Sequence, residues 1–259
     1  MPVSSSLLAE WTREDAAEHA AGTVVVVPVG ALEQHGPHLP LATDTLLVEQ
    51  VARAATAGLA GAVVAPAFAY GCSHHHLSFG GTASLRTGAL LDGLTDLVDS
   101  LLASGFAGVF LLNGHGGNAE IVQLVARDLG VARQAHVAGG SYFQIAAGPL
   151  AEAGAAAVGE VPGHAGAFET SLMLAAYPHL VRRDVTPSRP RPATGWPRAR
   201  AYRLAAPGPF RGGDGFSDDP SAGSAETGKR LLAVCVAAVR EAVAEFLGVV
   251  PRTGAEPAC

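Results

Sequence analysis

Residues 23–44 read TVVVVPVGALEQHGPHLPLATD. The apolar run from Val24 to Val29, stopped by Gly30, has the composition of a strand buried on both faces. Glu33, His35, His38 and Asp44 follow within fifteen residues of its end. Burying that many ionisable side chains unpaired costs several kcal/mol each. A divalent cation removes the penalty, because carboxylate and imidazole are the usual ligands of Zn²⁺ and Mn²⁺. Glu33 and His35 are two apart, so an extended backbone projects both from one face. The competing reading is a polar loop that carries a glutamate and two histidines, and the other segments decide between them.

Working outward, strands and helices alternate. A short helix over Glu14 to Ala21 leads into the first strand. Leu46, Leu47, Val51 and Ala54 recur at helical spacing after Asp44, which makes Asp44 both a helix N-cap and a candidate ligand. Ala62 to Ala67 reads as a second strand, and the loop YGCSHHHL at 70–77 follows it. A helix begins at Thr87. A third strand, Gly108 to Leu112, runs into NGHGGN at 113–118, and another helix continues to Gly130. Gln134 to Gly139 is expected to be a fourth strand. Pro28 fits an edge strand or a strand end.

This alternation predicts an α/β fold, with a mostly parallel sheet and helices on both faces. Sites in such sheets form beyond the carboxyl ends of the strands. Glu33 and His35 follow the first strand and His115 follows the third, so topology alone brings them to one edge. Further on, GHAGAFETSLMLAAYP at 163–178 reads as a helix ended by Pro178, with Glu169 early in it and His164 just before it. A carboxylate there is also favoured by the helix dipole. Residues 181–220 are rich in Arg, Pro and Gly and read as a long irregular segment, and Ser224 to Gly248 as a final amphipathic helix. A frayed tail is expected over 249–259.

The 259-residue chain is 49% hydrophobic and 15% charged, the balance of a globular protein rather than a disordered one. A single domain over 1–259 is expected. The formal charge of −6, with no block of Lys or Arg, argues against a nucleic-acid partner. Cys72, Cys235 and Cys259 share no close spacing, so neither a disulfide framework nor a zinc ribbon is indicated. No signal peptide or bilayer-length apolar run stands out, and a cytoplasmic location without a membrane partner is expected.

Glu33, His35, Asp44, His115 and Glu169 together supply three carboxylates and two imidazoles. Two divalent ions carry four positive charges, which three carboxylates and one hydroxide cancel. The arithmetic suits a two-metal site with Asp44 as the bridge. Without metal the carboxylates would repel and raise one another's pKa values. The chemistry expected is metal-assisted hydrolysis, with His164 shuttling a proton to the leaving nitrogen or, in the blander role, supporting a ligand.

Four stretches carry a resemblance: PVGALEQHGPHLPLATD at 28–44, GCSHHHLSFGGTASL at 71–85, NGHGGN at 113–118 and HAGAFETSLML at 164–174. DDPSAGSAETGKRL at 218–231 is a weaker match. In family order they resemble the creatininase (creatinine amidohydrolase) family. The resemblance implies a three-layer α/β/α sandwich, a binuclear Zn and/or Mn centre, hydrolysis of an amide bond and a homo-oligomer, commonly a hexamer. It assigns one metal to Glu33, Asp44 and His115 and the other to His35, Asp44 and Glu169. His164 becomes the catalytic histidine. Ser73 and His76 become pocket residues, while His74 and His75 read as loop bystanders.

The chain departs from members that open creatinine. Those carry a glutamate where this chain has Gly117, and tryptophans over the pocket, whereas the tryptophans here are Trp11 and Trp196. The family often has Glu where this chain has Ala167. The expected substrate is therefore a small-molecule amide other than creatinine, with backbone N–H groups of Gly116 and Gly117 facing an oxyanion. Related members deformylate a pyrimidine precursor, hydrolyse an inositol-derived ring or trim the mycofactocin precursor peptide. A peptidase and a non-catalytic metal-binding relative are the alternatives. Arg189, Arg191, Arg198 and Arg200 read as a solvated or interface loop rather than a phosphate site.

Overall fold

The computed structural model describes residues 5–187 and 214–251. Within them run α1 (Arg13–His19), β1 (Val24–Val29), α2 (Thr43–Thr56), β2 (Ala62–Val64), α3 (Thr87–Ala103) and β3 (Gly108–Asn113). α4 (Ala119–Arg133), β4 (Val137–Ser141), α5 (Tyr142–Ile145), α6 (Ala147–Glu152), α7 (Ala167–Ala176) and α8 (Ala225–Val249) follow. The described strands form one parallel sheet in the order β2-β1-β3-β4.

Alternation along the strands divides the core into two. Val24 and Val26 of β1, with Phe110 and Leu112 of β3, pack against Leu47 and Val51 of α2, Phe168 and Leu172 of α7, and Leu231 and Val239 of α8. Val25, Val27, Val109 and Leu111 face the other way, onto Leu90, Leu94 and Val98 of α3 and Val122 and Val125 of α4. Each such side chain contributes about 1.5–3 kcal/mol by leaving water. The result is the α/β/α sandwich expected from the sequence. Helix starts are set locally: Thr12 and Asp15 form a reciprocal capping box on α1, and Ser224 Oγ accepts the Thr227 amide at the head of α8.

Three boundaries differ from expectation. β2 stops at Val64 instead of Ala67, because Pro66 has no N–H to donate to a ladder. β4 begins at Val137 because α4 runs on to Arg133 and Gln134 turns left-handed (φ 49°) to end it. β1 is central, and Pro28, its last residue but one, takes the strand-end placement that the sequence allowed. Pro28 is tolerated there because its carbonyl, and hence its missing N–H, faces the β2 side beyond the end of that strand, where Phe68 N donates to Pro28 O at 2.8 Å.

No helix among the described residues is long and apolar enough to cross a membrane. Trp196, the four arginines from Arg189 to Arg200 and the tail beyond Pro251 lie outside the described residues.

Candidate metal centre

The carboxyl edge of the sheet gathers the candidate residues. Glu33 and His35 lie just past β1, and His115 lies just past β3. Asp44 is the second residue of α2, inside the first turn rather than at the cap, which is Ala42. Glu169 is the third residue of α7. Gly114 lets α2 come this close to β3, since a Cβ there would sit 2.8 Å from both the Asp44 carbonyl and Val48 Cβ.

The two asparagines of NGHGGN are clamps. Asn113 Oδ1 accepts the His115 amide at 3.1 Å and its Nδ2 donates to the His115 carbonyl and to Ser141 Oγ. Asn118 Oδ1 accepts the Cys72 amide while its Nδ2 donates to Gly30 O, tying the loop at 71–77 to the end of β1. Around α7, Asp218 Oδ1 accepts the Ala167 amide at 2.8 Å, and Ser217 pairs with the His164 backbone in both directions. Ala165 is held left-handed at φ 49°, and its amide donates to Glu169 Oε2.

The side chains converge. His115 Nδ1 lies 3.3 Å from Glu33 Oε1 and 3.1 Å from Asp44 Oδ2. His35 Nε2 lies 3.4 Å from Asp44 Oδ1 and 3.7 Å from Glu169 Oε2. Asp44 therefore faces both halves of the cluster, with one oxygen toward each. The far ring nitrogens are engaged by the backbone: His35 Nδ1 lies 3.1 Å from Glu33 O, and His115 Nε2 lies 3.2 Å from Cys72 O. Those contacts leave His35 Nε2 and His115 Nδ1 directed into the cluster, where loss of a proton would turn each lone pair on a cation.

The electrostatics follow from packing these groups out of water. Burial alone would lower the His35 imidazole, but Asp44, then Glu169 and Glu33, reverse this and hold it at about 10. Burial likewise opposes the proton on His115, and Glu33 and Asp44 overcome it and raise the pKa well above 6.5. Burial would raise Glu33, yet His115 and the neighbouring imidazoles pull it well below its ordinary value. Burial and the repulsion of Glu33 would raise Asp44 too, but His35 and His115 together lower it. Glu169 goes the other way: burial, with Asp44 adding to it, lifts its pKa to about 8 against the pull of His35.

Behind this cluster stand Ser73, His76, His164 and Gln34. Ser73 Oγ is 3.4 Å from His115 Nε2, and the His76 ring, pushed down to about 3 by burial, places Nε2 3.4 Å from Glu33 Oε1. His164 directs Nδ1 at Glu33 Oε1 over 3.5 Å and Nε2 at the Gln34 carbonyl over 2.8 Å. Burial, with the His35 and His76 imidazoles, depresses His164 well below 6.5. Gln34, which the sequence reading passed over, sets its Nε2 2.9 Å from His76 Nδ1, from His164 Nε2 and from Gly215 O. His38, a candidate in the sequence, sets its Nε2 2.9 Å from Thr170 Oγ1. Gly116 and Gly117 form the tight turn before α4. A Cβ on Gly117 would lie 2.4 Å from both Cys72 O and His115 Nε2, so no side chain fits there.

Whether these residues suit a cation can be read from what they leave unsatisfied. Among the described residues, both Glu33 carboxylate oxygens, His35 Nε2, Asp44 Oδ2 and, outside this cluster, His38 Nδ1 are buried without a hydrogen-bond partner. The unpartnered atoms of two carboxylates and an imidazole fit a divalent ion, and Glu33, His35 and Asp44 each present a ligand atom within 4.8 Å of the others. His35, His164 and Glu169 form a second such group.

A parallel α/β sheet with a candidate metal site beyond its strand ends defines the class. The chain belongs to the creatininase family, whose profile, described as creatinine amidohydrolase, matches residues 9–243. It is 33% identical over 250 residues to the creatinine amidohydrolase of Pseudomonas putida, covering 91% of this chain and 94% of that one. It is 34% identical over 224 residues to the mycofactocin precursor peptide peptidase of Mycobacterium ulcerans (strain Agy99), covering 82% and 81% respectively. A solved structure described as creatininase Mn superposes with a TM-score of 0.77 at 31% identity, over 94% of this chain and 99% of that one.

Proposed function

We propose that this protein is a metal-dependent amidohydrolase that cleaves a C–N amide bond of a small molecule other than creatinine. The observation that carries the reading is the set of orphaned buried donors on Glu33, His35 and Asp44. Glu33, Asp44 and His115 would hold one divalent ion and His35, Asp44 and Glu169 the other, with Asp44 shared and Zn or Mn as occupants. When bound, the ions polarise the substrate carbonyl and lower the pKa of water to near neutrality.

The chain's own residues then position and move protons. His164 is neutral at working pH, with Nε2–H held by the Gln34 carbonyl. With the proton on Nε2, the Nδ1 atom, 3.5 Å from Glu33 Oε1, is the one that takes the proton of the attacking water and returns it to the leaving nitrogen. Gln34 donates from Nε2 to Gly215 O and to His76 Nδ1, and the His76 ring it holds stacks on that of His164 with centroids 4.1 Å apart. Ser73 steadies His115, and the Gly116–Gly117 turn offers backbone amides to a developing oxyanion.

A second reading, cleavage of a short peptide, is favoured by the identity to the mycofactocin precursor peptide peptidase, which matches the identity to creatinine amidohydrolase. Parallel assays of metal-loaded protein on creatinine, other cyclic amides, formamides and short peptides test both. Turnover of a non-creatinine small amide, abolished by a chelator, is expected. Creatinine turnover with kcat/KM above about 10⁴ M⁻¹s⁻¹ would overturn the substrate assignment. Hydrolysis confined to peptides would replace the first reading by the second.

A further inference from the structure

We propose that His75 is a metal-binding residue of this chain, completing with Glu33 and His115 the donor set around the ion that Glu33, Asp44 and His115 hold. The inference rests on the two-ion reading above and adds a ligand to it.

His75 sits in the short turn His74–His76, reached from β2 through the loop that Asn118 ties down. Its ring is half-buried and lies parallel to that of His115, with centroids 5.7 Å apart and planes 6° apart. Glu33, His75 and His115 each present a ligand atom, and all three atoms lie within 4.8 Å of one another. Tetrahedral bonding at zinc–nitrogen distances separates donors by about 3.4 Å. The rotatable side chain of a half-buried histidine closes that difference without moving the backbone. Independently, Glu33, which is 0% exposed, has neither carboxylate oxygen satisfied.

The neighbouring histidines are placed differently. His74 is exposed and its Nδ1 lies 3.5 Å from Cys72 Sγ. His76 belongs with His164 and Glu33 in another donor group, and Gln34 engages its Nδ1.

Two features of this chain give His75 a coordination position to fill. Gly117 brings no side chain to the turn after His115, and the contacts of a Cβ there leave room for none. Charge also favours an imidazole: Glu33, Asp44, Glu169 and one hydroxide already cancel two divalent ions, and neutral His75 adds a donor without adding charge. A fourth carboxylate would leave the buried site negative, which is costly away from water.

Co²⁺ is the probe, titrated into metal-free full-length protein against a chromophoric chelator, with visible and near-ultraviolet spectra recorded. His75→Ala is expected to weaken one of the two equivalents by about tenfold or more and to leave the other in place. His74→Ala is expected to change neither. His75→Cys supplies a direct signature, because a thiolate bound to Co²⁺ produces a near-ultraviolet charge-transfer band absent from the unsubstituted protein. Unchanged affinities in His75→Ala together with no new band in His75→Cys would overturn the assignment. If the unsubstituted protein retains no Co²⁺, the two-ion reading falls and the His75 proposal with it. Two equivalents in that protein that are both indifferent to His75 overturn the proposal alone.

Discussion

Without metal, the cluster reaches neutral pH with its charges balanced by protons. Glu33 and Asp44 are ionised, His35 and His115 carry protons, and Glu169 stays neutral because its pKa lies near 8. Divalent ions need the deprotonated form of each ligand. Loading both sites at pH 7 should therefore release about three protons per chain from these side chains. At pH 7 the Glu169 proton, with a pKa near 8, costs about 1.4 kcal/mol to remove, and the His35 proton, with a pKa near 10, about 4 kcal/mol. The sign is fixed, since protons compete with metal and affinity rises with pH. The ion on His35 and Glu169 should gain about 100-fold per pH unit below 8 and about tenfold per unit from 8 to 10. The ion on His115 should gain about tenfold per unit up to that residue's raised pKa. Calorimetric titration of Zn²⁺ or Mn²⁺ into metal-free protein, in two buffers of different ionisation enthalpy, counts the protons. Release of fewer than one proton per chain, or affinities that do not change between pH 6 and 8, would refute the charge balance described here.

Asp44→Ala should lower occupancy at both sites, because its two oxygens face different halves of the cluster, whereas Glu169→Ala should empty mainly one. Elemental analysis decides this, and full occupancy in the Asp44 variant would remove the bridging role. His164→Ala should keep both ions and lose about 10² to 10⁴ in turnover, read from kcat beside metal content. Unchanged kcat would make His164 a spectator. Gly117→Ala drives a methyl into Cys72 O and His115 Nε2, and should cost about 1–3 kcal/mol of stability and weaken metal binding through His115. An unaltered Tm with both ions held would contradict that packing.

Much of this arrangement was legible in the sequence, for identifiable reasons. The six-residue run of β1 and the strand–helix alternation specify a parallel sheet, and a parallel sheet puts loop residues after β1 and β3 on one edge. Glu33, His35 and His115 meet there on topology alone. Asp44 and Glu169 were legible as early helical residues, since a carboxylate suits a helix start whether or not it binds metal. Gln34 was not, because its role depends on contacts across the loops with residues 42 and 130 positions away, about which periodicity carries no information. The apolar run from Ala62 to Ala67 hides the end of β2, which Pro66 sets by lacking an N–H. The end of α4 is hidden likewise, because Gln134, not Gly130, takes the left-handed position.

The placement of these residues also bears on how one family includes relatives named for creatinine and for a precursor peptide at nearly equal identity to this chain. Asp44 and Glu169 project from first helical turns, and Glu33 and His115 from the segments just past β1 and β3, next to the two cores. The groups around them come from less regular segments: the turn at 74–76, the turn at 116–118 and the stretch beginning at Asp214, which holds Gln34 through Gly215 and the His164 loop through Ser217 and Asp218. Loops accept substitution and insertion at far lower cost than packed elements. The donor atoms can thus stay in place while the space over them is rebuilt. Gly117 belongs to one such turn, and it is coupled to its surroundings. Placing a side chain at this position requires the Cys72 carbonyl to withdraw, which displaces the loop that carries Ser73, His75 and His76. The turn after His115 and the 71–77 loop therefore pack as one unit, and exchange of Gly117 alone is expected to disturb both.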